Sequence, residues 1–288
     1  MRAAQRLREA LAAPGIVVMP CCFDGLSAKL IADAGTRVSF MSGFAASAAR
    51  LGLPDTGLIS FGEMVDSVRN CCAAAPDMPI IADGDTGYGN ALNVQRTVRE
   101  LERAGVAALH LEDQVFPKRC GHYDGKAVVP AAEMVQKLRA ARDGAQDADL
   151  VIIARTDAIA VEGLDAAIER AHAYAAAGAD VLFVEAPTSE AQIETIARSL
   201  PGPKLINMFE GGKTPLVPLA RLQALGYRVV IVPSDLQRAA IRAMQEVLAV
   251  MRRDGNSRAL ADRMATFDER EAVVRTREYL DRDRRYGA

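Results

Sequence analysis

The chain has 288 residues, of which 50% are hydrophobic and 25% charged, and its formal net charge is −2. This composition is ordinary for a soluble globular protein with one large core, and the small net charge gives no electrostatic basis for binding nucleic acid or an anionic membrane. No apolar stretch is long enough to span a membrane. The five cysteines are odd in number and lack Cys-x-x-Cys spacing, which argues against a disulfide framework and against a zinc site. A chain of this kind is expected in the reducing cytoplasm.

Hydrophobic runs bounded by turn residues predict a regular alternation of strands and helices. An arginine-bearing helix without a signal-peptide core opens the chain within residues 1–15. Strands are predicted at 16–20, 37–41, 80–82, 106–111, 150–154, 181–184, 204–206 and 228–232. Helices are predicted at 26–34, 61–75, 91–104, 131–143, 163–177, 189–200 and 218–225. Eight strand–helix units in about 230 residues are typical of an α/β fold, the (β/α)₈ barrel of TIM type.

The chain after the eighth predicted strand is helical, with helices expected at 235–253, 256–264 and 266–284. The first of these completes the barrel, so the others must pack on its outside or on another subunit. We therefore expect one domain over residues 1–288, in which residues 254–288 form a helical C-terminal extension used in oligomerisation. A solvated helical tail is the alternative.

Polar residues follow nearly every predicted strand. They are Ser42, Asp83, Glu112, Arg155, Glu185, Asn207 and Ser234. The carboxyl ends of parallel strands meet on one face of a barrel, so we expect these side chains to form one active site. Within this set, Ser42, Gly43 and Phe44 offer a hydroxyl and backbone N–H groups that suit a carboxylate, although this segment taken alone is better explained as a plain turn. Arg155 is suited to bidentate capture of a carboxylate.

Three acids at the ends of two successive strands indicate a metal site. Asp83 and Asp85 follow the third strand, and Glu112 follows the fourth. Hard oxygen ligands suit Mg²⁺, which keeps several of its waters and takes few carboxylates. The alternative is that these acids only cap the next helices.

The segment 113–130 is too long for an ordinary connection and carries several Gly and Pro residues, which favours a mobile lid. Within it, Lys118, Arg119 and His122 surround Cys120 with positive charge and a titratable ring. Such surroundings are expected to lower a cysteine pKa and to make the thiol useful in proton transfer. The alternative is a spare cysteine in a basic loop that grips an anion.

The motifs PKRCGH, DGDTGYGN and LEDQ resemble the isocitrate lyase / phosphoenolpyruvate mutase superfamily, on its carbon–carbon lyase side. The similarity extends along the chain through SGFAASAARLGLPDTG, ARTDA, VEAP, NMFEGGKTP and MATFDE. These motifs are most similar to those of the 2,3-dimethylmalate lyase and petal death protein branch, whose members cleave 2-substituted malates and oxaloacetate. Phosphonomutases of the superfamily lack the cysteine motif.

The resemblance implies a Mg²⁺-dependent lyase, with Mn²⁺ as a substitute, that cleaves a 2-hydroxy dicarboxylate by a retro-aldol type reaction. It implies that Cys120 is the general acid, and that Lys118, Arg119 and His122 hold it and the substrate. Further implied site residues are Ser42, Gly43, Phe44, Gly121, Arg155, Glu185, Asn207 and Ser234 for the substrate, and Asp83, Asp85 and Glu112 for the metal, with Asp55 behind them. A homotetramer acting on a small dicarboxylate or oxo-acid is also implied.

Several alternatives stay open. Hydrolysis of oxaloacetate to oxalate and acetate would use the same site, because relatives with that activity carry a serine that Ser234 matches. Cleavage of 2-methylisocitrate is another alternative, whereas Cys120 argues against a phosphonomutase and the intact rim argues against a non-catalytic dicarboxylate-binding barrel. Phe40 stands where methylisocitrate lyases carry a tyrosine, so the general base is unassigned. Candidates for the pocket walls are Phe44, Tyr88, Phe116 and Met208.

Overall fold

The computed structural model describes residues 1–287 and contains eight parallel strands that close into a barrel in chain order. The strands are β1 (Val17–Cys22), β2 (Ser39–Met41), β3 (Ile80–Asp83), β4 (Ala108–Glu112), β5 (Val151–Thr156), β6 (Val181–Val184), β7 (Lys204–Asn207) and β8 (Tyr227–Val232). Strands β1 and β8 pair in register from Val17 with Val229 to Pro20 with Val232, which closes the ring. The predicted (β/α)₈ barrel is therefore confirmed.

Helices surround the barrel and continue after it. They are α1 (Ala3–Ala12), α2 (Gly25–Asp33), α3 (Gly43–Ala46), α4 (Phe61–Ala74), α5 (Ala91–Arg103), α6 (Ala131–Gly144), α7 (Ile159–Glu162), α8 (Leu164–Ala176), α9 (Glu190–Ser199), α10 (Leu219–Ala224), α11 (Asp235–Asp254), α12 (Phe267–Val273) and α13 (Thr276–Tyr286). A π-helical turn, Ser47–Leu51, follows α3, and a 3₁₀ helix, Arg258–Arg263, precedes α12. Side-chain caps explain several starts: Asp24 accepts from the Ser27 N–H at 2.7 Å, and Ser60 and Asn90 cap α4 and α5.

The structure corrects the predicted boundaries at a few places. Short helices α3 and α7 lie in segments where no helix is predicted. The helix predicted at 266–284 is divided into α12 and α13, because Arg275 adopts a left-handed conformation (φ +56°) that interrupts the helical hydrogen-bond ladder.

Side chains of each strand alternate between two apolar layers. In β5, Val151 and Ile153 belong to the cluster that fills the barrel, whereas Ile152 and Ala154 pack against the surrounding helices. This alternation is the one expected of strands buried on both sides. It also fixes which residue at each strand end faces the mouth of the barrel.

Helix α1 closes the amino-terminal end of the barrel. Leu7 is fully buried and packs on the interior cluster. The Arg228 guanidinium of β8 donates hydrogen bonds to the carbonyls of Leu11 and Gly15, at 2.6 and 2.7 Å. Because this end is sealed, the carboxyl-terminal rim is left to hold the site.

The chain divides into two compact units, one over Met1–Asp235 and one from Leu236 onward. The first contains the barrel with α1 to α10, and the second is helical. A division at this point lies upstream of residue 254, where the extension is predicted to begin, and the single-domain organisation stays a prediction. Within residues 1–287, no helix combines the length and apolar character needed to cross a bilayer.

Candidate active site

A cavity of about 270 Å³ lies at the carboxyl-terminal rim of the barrel. Most predicted site residues line it, namely Ser42, Phe44, Asp55, Asp83, Lys118, Cys120, Gly121, His122, Arg155, Glu185, Asn207 and Ser234. They come from strand ends, from the loop after β2 and from the loop after β4, and the structure thus brings all the predicted rim residues except Glu112 to one cavity. Gly43, Asp85, Glu112 and Arg119 do not line the cavity.

Four ring or branched side chains form the cavity floor: Phe40, His110, Phe183 and Ile231. They belong to the even-numbered strands β2, β4, β6 and β8, which is how a barrel of this type builds one interior layer. The His110 ring lies 5.4 Å from the Phe40 ring and 6.2 Å from the Phe183 ring, measured between centroids. None of the four is among the predicted catalytic, substrate or metal residues, although strand alternation could have revealed them.

The acidic side of the cavity is built around Lys118. Its Nζ lies 2.6 Å from Asp55 Oδ1 and 2.9 Å from Asp85 Oδ1, and its side chain is 3% exposed. Asp85 adopts a positive φ of +45°, which turns the chain so that its N–H donates to Asp83 Oδ1 at 3.0 Å. Gly43 N–H donates to the other Asp83 oxygen at 2.9 Å. These contacts connect the carboxyl ends of β2 and β3 to the loop after β4. The Lys118 ammonium balances part of the negative charge of the acids.

Within the predicted carboxylate cradle at Ser42 to Phe44, Gly43 contacts Asp83. Its N–H is occupied by Asp83, and a Cβ there would lie 2.8 Å from Asp83 Oδ2, so this glycine positions an acid instead of contacting the cavity. Ser42 lines the cavity, but its hydroxyl oxygen also accepts from the Ala45 N–H at the start of α3.

Burial and neighbouring charges shift the pKa values of the buried acids in different directions. Burial raises the pKa of Asp85 to about 6 against the opposing effect of Lys118, and it raises the pKa of Glu112 well above its ordinary range despite Arg155. Burial acts in the same direction on Asp83, but His110, Lys118 and Arg155 together lower its pKa. Burial lowers the pKa of His110, which favours the neutral ring.

The donor set suits a hard divalent cation. Glu112 is 1% exposed, and neither of its oxygens takes part in a hydrogen bond; both ring nitrogens of His110, 3.5 Å or more from the nearest acid, are likewise without one. Among residues 1–287, no three His, Cys, Asp or Glu side chains converge into a ready-made metal cluster. Buried carboxylate oxygens that make no hydrogen bond, with Glu112 Oε2 only in an ion pair with Arg155, fit Mg²⁺ bound largely through its own waters, for which direct convergence is unnecessary.

Cys120 lies in the loop 113–130, whose ends are held together by a bridge between Gln114 and Val128. Its N–H donates to the Asp55 carbonyl at 3.1 Å, and its side chain lines the cavity. Burial raises its pKa to about 11, which corrects the expected lowering. The basic neighbours do not offset burial, because Lys118 is neutralised by Asp55 and Asp85. The thiol is therefore protonated at neutral pH.

The structure places Arg119 outside the cavity. Its side chain is exposed, and Nη1 donates to the Asp124 carbonyl of the same loop at 3.1 Å. Its backbone is held by Gln114, which accepts from its N–H at 2.9 Å. Arg119 shapes the loop and does not reach the cavity.

Arg155 is held by Asp157, a residue absent from the predicted site. Arg155 Nε donates to Asp157 Oδ2 at 2.9 Å, and Nη2 donates to Oδ1 at 3.0 Å. Nη1 lies 3.2 Å from Glu112 Oε2. The fork predicted to capture a substrate carboxylate is thus occupied by Asp157, and the guanidinium acts on the cavity mainly through its charge.

The far wall joins the loop after β4 to the loop after β7. His122 Nε2 lies 2.9 Å from Glu185 Oε1, and Asn207 Nδ2 donates to both Glu185 oxygens at 3.2 and 3.0 Å. The Lys213 N–H donates to His122 Nδ1 at 3.0 Å, and the Phe209 ring meets the imidazole edge-on. Phe209, which lines the cavity, is absent from the predicted site, although it lies in the motif NMFEGGKTP after β7.

Of the residues considered for the pocket walls, Phe44 lines the cavity. Tyr88 and Met208 lie elsewhere, with Met208 buried, and Phe116 is 59% exposed. Tyr123 and Phe209 take their place as walls of the mouth.

A family model described as phosphoenolpyruvate phosphomutase matches residues 7–252. The chain belongs to the phosphoenolpyruvate mutase / isocitrate lyase superfamily. It is 45% identical over 269 residues to 2,3-dimethylmalate lyase of Eubacterium barkeri, covering 93% of each chain. It is 43% identical over 284 residues to the chloroplastic carboxyvinyl-carboxyphosphonate phosphorylmutase of Arabidopsis thaliana, covering 98% of this chain and 84% of that one. It is 41% identical over 272 residues to the petal death protein of Dianthus caryophyllus, covering 94% and 86%.

Solved structures of the superfamily match over nearly the whole length. A crystal structure of 2,3-dimethylmalate lyase is similar with a TM-score of 0.94 at 36% identity, covering all of this chain and 96% of that one. Oxaloacetate acetylhydrolase in complex with 3,3-difluorooxalacetate gives 0.93 at 35% identity, with 99% and 97% covered. Phosphonopyruvate hydrolase in complex with oxalate and Mg²⁺ gives 0.89 at 32% identity, with 99% of both chains covered.

Proposed function

We propose that this superfamily member is a divalent-metal-dependent carbon–carbon lyase that cleaves a 2-hydroxy dicarboxylate of the 2-alkylmalate type, such as 2,3-dimethylmalate. The observation that carries the proposal is the Cys120 thiol, which lines the same cavity as Asp83 and Lys118 and whose pKa of about 11 keeps it protonated. The similarity to 2,3-dimethylmalate lyase supports this substrate class.

Mg²⁺, with Mn²⁺ as a substitute, would be held by Asp83, Asp85 and Glu112, with Asp55 behind them. When bound, the cation supplies a Lewis acid that stabilises negative charge on the substrate oxygens. The Mg²⁺ bound in the oxalate complex of phosphonopyruvate hydrolase supports this cofactor.

The residues of the chain would then bind the substrate and supply the proton that C3 receives. In the cleavage, the C2 hydroxyl gives its proton to solvent water, C2 becomes a carbonyl, and the C2–C3 bond breaks with its electron pair passing to C3 and the adjacent carboxylate. Cys120 delivers a proton to C3, which completes the second product, a saturated carboxylate. Lys118 and Arg155 add positive charge near the substrate carboxylates, and both are less than a tenth exposed. The floor residue Phe40 carries no hydroxyl and is excluded as the base.

A small substrate panel tests the proposal. The purified protein should release pyruvate from 2,3-dimethylmalate in the presence of Mg²⁺ faster than it acts on 2-methylisocitrate or oxaloacetate, and EDTA should abolish the activity. Turnover unaffected by chelation would reject the metal-dependent mechanism, and preferred turnover of another panel member would reassign the substrate.

Hydrolysis of oxaloacetate to oxalate and acetate is the second candidate, and Ser234 is the observation that favours it. This serine is 6% exposed and lines the cavity beside Pro233, and the fold is similar to that of oxaloacetate acetylhydrolase. A Ser234→Ala variant separates the two: it should lose oxalate formation if the protein is a hydrolase, and retain pyruvate release if it is a lyase.

We also propose a homotetramer. Helix α11 carries large apolar side chains at helical spacing, Ile241, Met244, Leu248 and Met251, each more than 40% exposed. Such a stripe on one face of a helix supports burial against another subunit.

A further inference from the structure

Lys126 lies in the loop that carries Cys120, six residues beyond the thiol, and nothing in its sequence pattern points to a role. Its side chain is 1% exposed, in a segment where Tyr123, Asp124 and Gly125 are exposed. The Lys126 ammonium donates to the Gly121 carbonyl of its own loop and to Asp157 Oδ1 at 2.9 Å. A buried ammonium that donates to two fixed acceptors links the two segments that carry them, unlike the ammonium of a solvated surface lysine.

Asp157, the acceptor outside the loop, is held in place by several hydrogen bonds. Asp157 is fully buried at the end of β5, and its N–H donates to Asp113 Oδ1 at 2.9 Å. Asp113 in turn accepts from the hydroxyls of Thr156 and Tyr174, each at 2.7 Å. Asp157 also receives both hydrogen bonds from Arg155 described above. Lys126 therefore connects the loop to the carboxylate that orients Arg155.

The Gly121 carbonyl, the acceptor within the loop, is next to the Cys120 thiol in the chain. A Cβ at Gly121 would overlap Arg155 Nη2 and would lie 2.6 Å from Glu185 Cγ, so the loop backbone already packs closely on both side chains. Fixing the Gly121 carbonyl therefore fixes the position of Cys120, the preceding residue. Lifting of the loop would require Lys126 to leave Asp157 and become solvated.

We infer that Lys126 is a positioning residue that holds the Cys120 loop closed over the cavity by linking the Gly121 carbonyl to Asp157. Its catalytic consequence rests on the proposed lyase function, but loop closure does not, and the two can be measured separately. Removing Lys126 should leave the fold intact, because Asp157 remains paired with Arg155.

The test is the rate at which iodoacetamide alkylates Cys120, followed by mass spectrometry of the peptide that contains it. In Lys126→Met the rate should rise roughly tenfold or more, since loss of a charge-assisted hydrogen bond increases the population of the open loop by about that factor. Lys126→Arg, which keeps the charge, should show a smaller rise. Thermal unfolding of each variant reports whether it is folded. If Lys126→Met does not fold, the alkylation rate of Lys126→Arg is compared with that of the unaltered protein instead.

The matched control is Lys213→Met. Lys213 also reaches this loop from another, but its partner Asp124 is 95% exposed, so the rate should change by less than about threefold. An unchanged Cys120 rate in folded Lys126→Met, or an equal rise in Lys213→Met, would overturn the inference. If a substrate from the panel is turned over, kcat should fall in Lys126→Met with little change in KM; absence of turnover would count against the lyase proposal and would leave the alkylation result standing.

Discussion

Cys120 is the residue on which the proposed chemistry depends, and its environment selects one protonation state. Burial removes the thiol from water, while the nearby carboxylates of Asp55 and Glu185 oppose a thiolate more than Arg155 favours one. A protonated sulfur above an electron-rich carbon can deliver a proton when the carbon–carbon bond breaks. This is the reverse of the environment of a nucleophilic cysteine, in which the thiolate is stabilised.

Replacing Cys120 by serine should lower kcat by roughly 10²–10⁴-fold, because a hydroxyl is a far weaker acid than a thiol. The measurement is pyruvate release from the best substrate of the panel under saturating Mg²⁺. Cys72→Ser is the matched control, since Cys72 is half-buried on α4 and does not line the cavity; it should keep nearly full activity. Undiminished turnover in Cys120→Ser would remove the thiol from the mechanism.

The pKa of Cys120 gives a pH dependence of known sign. The thiolate is the reactive form, and below a pKa of about 11 its fraction rises tenfold for each pH unit. Alkylation of Cys120 should therefore accelerate continuously between pH 7 and about 10, without the plateau near pH 9 expected of an ordinary thiol. A plateau at or below pH 9 would show that the thiol is not buried as described.

At the scale of single residues, strand-end positions were predictable and side-chain partners were not. Asp83, Glu185 and Asn207 line the rim or the cavity because strand polarity dictates it. The roles of Gly43 and Arg119 stay predictions, and their hydrogen bonds to Asp83 and Asp124 were not predicted because only the folded backbone determines them. The predicted direction of the Cys120 pKa shift was wrong because burial is not visible in a run of basic neighbours.

The loop 113–130 is the element that completes the cavity. Pairing of its stems leaves its tip, with Cys120 and Gly121, to reach across to β5 and β6. The approach is close at Gly121, where any side chain would meet Arg155 and Glu185.

Gly121→Ala should therefore displace the loop and lower kcat by at least about tenfold, with little loss of thermal stability, because a shift of the loop relieves the overlap and leaves the barrel core unchanged. Gly62→Ala is the matched control. Gly62 lies on α4, and no atom lies within 4 Å of the place that an added Cβ would occupy, so alanine should leave kcat unchanged and slightly stabilise the helix. Equal kcat values for the two variants would contradict the close packing of the loop.

Among the elements, long periodic helices and apolar strands were predictable, but their ends were less so. Several strands extend to include the first polar residue, as β3 does with Asp83 and β5 with Arg155 and Thr156. This happens because pairing with neighbours in the barrel continues past the apolar run. The short helix α7 has too few residues to show a periodicity.

For the molecule as a whole, the acid cluster predicts stabilisation by metal. A cation that binds only the folded state raises its stability by about 2.7 kcal/mol at 100 times its dissociation constant. Added Mg²⁺ should raise the midpoint of thermal unfolding by several degrees, and Asp83→Asn should abolish the shift. Asp66→Asn, which alters an exposed ion pair on α4, should retain it. A midpoint insensitive to Mg²⁺ would argue against the proposed ligands.

The apolar face of α11 predicts the oligomeric state. The unaltered protein should sediment as four chains, and the double variant Met244→Glu with Leu248→Glu should give smaller species, because two carboxylates would be buried without partners. Ala239→Glu adds a charge at an exposed position on the opposite side of α11 and should remain assembled. A monomeric unaltered protein would refute the tetramer.

The barrel itself was the most predictable feature, since eight strand–helix units leave few alternatives for closure. The arrangement of the tail was less so, because helices with few buried residues give no internal signal for their partners. In the described part of α12 and α13, no residue is buried.

The seal that α1 makes across the amino-terminal end of the barrel has a practical consequence for handling the enzyme. Met1 is 69% exposed, next to a helix that is anchored at Leu7 and by Arg228, on the side away from the mouth. An affinity tag or surface tether joined there would leave the reactive opening facing solution, which makes this terminus the natural choice for immobilisation.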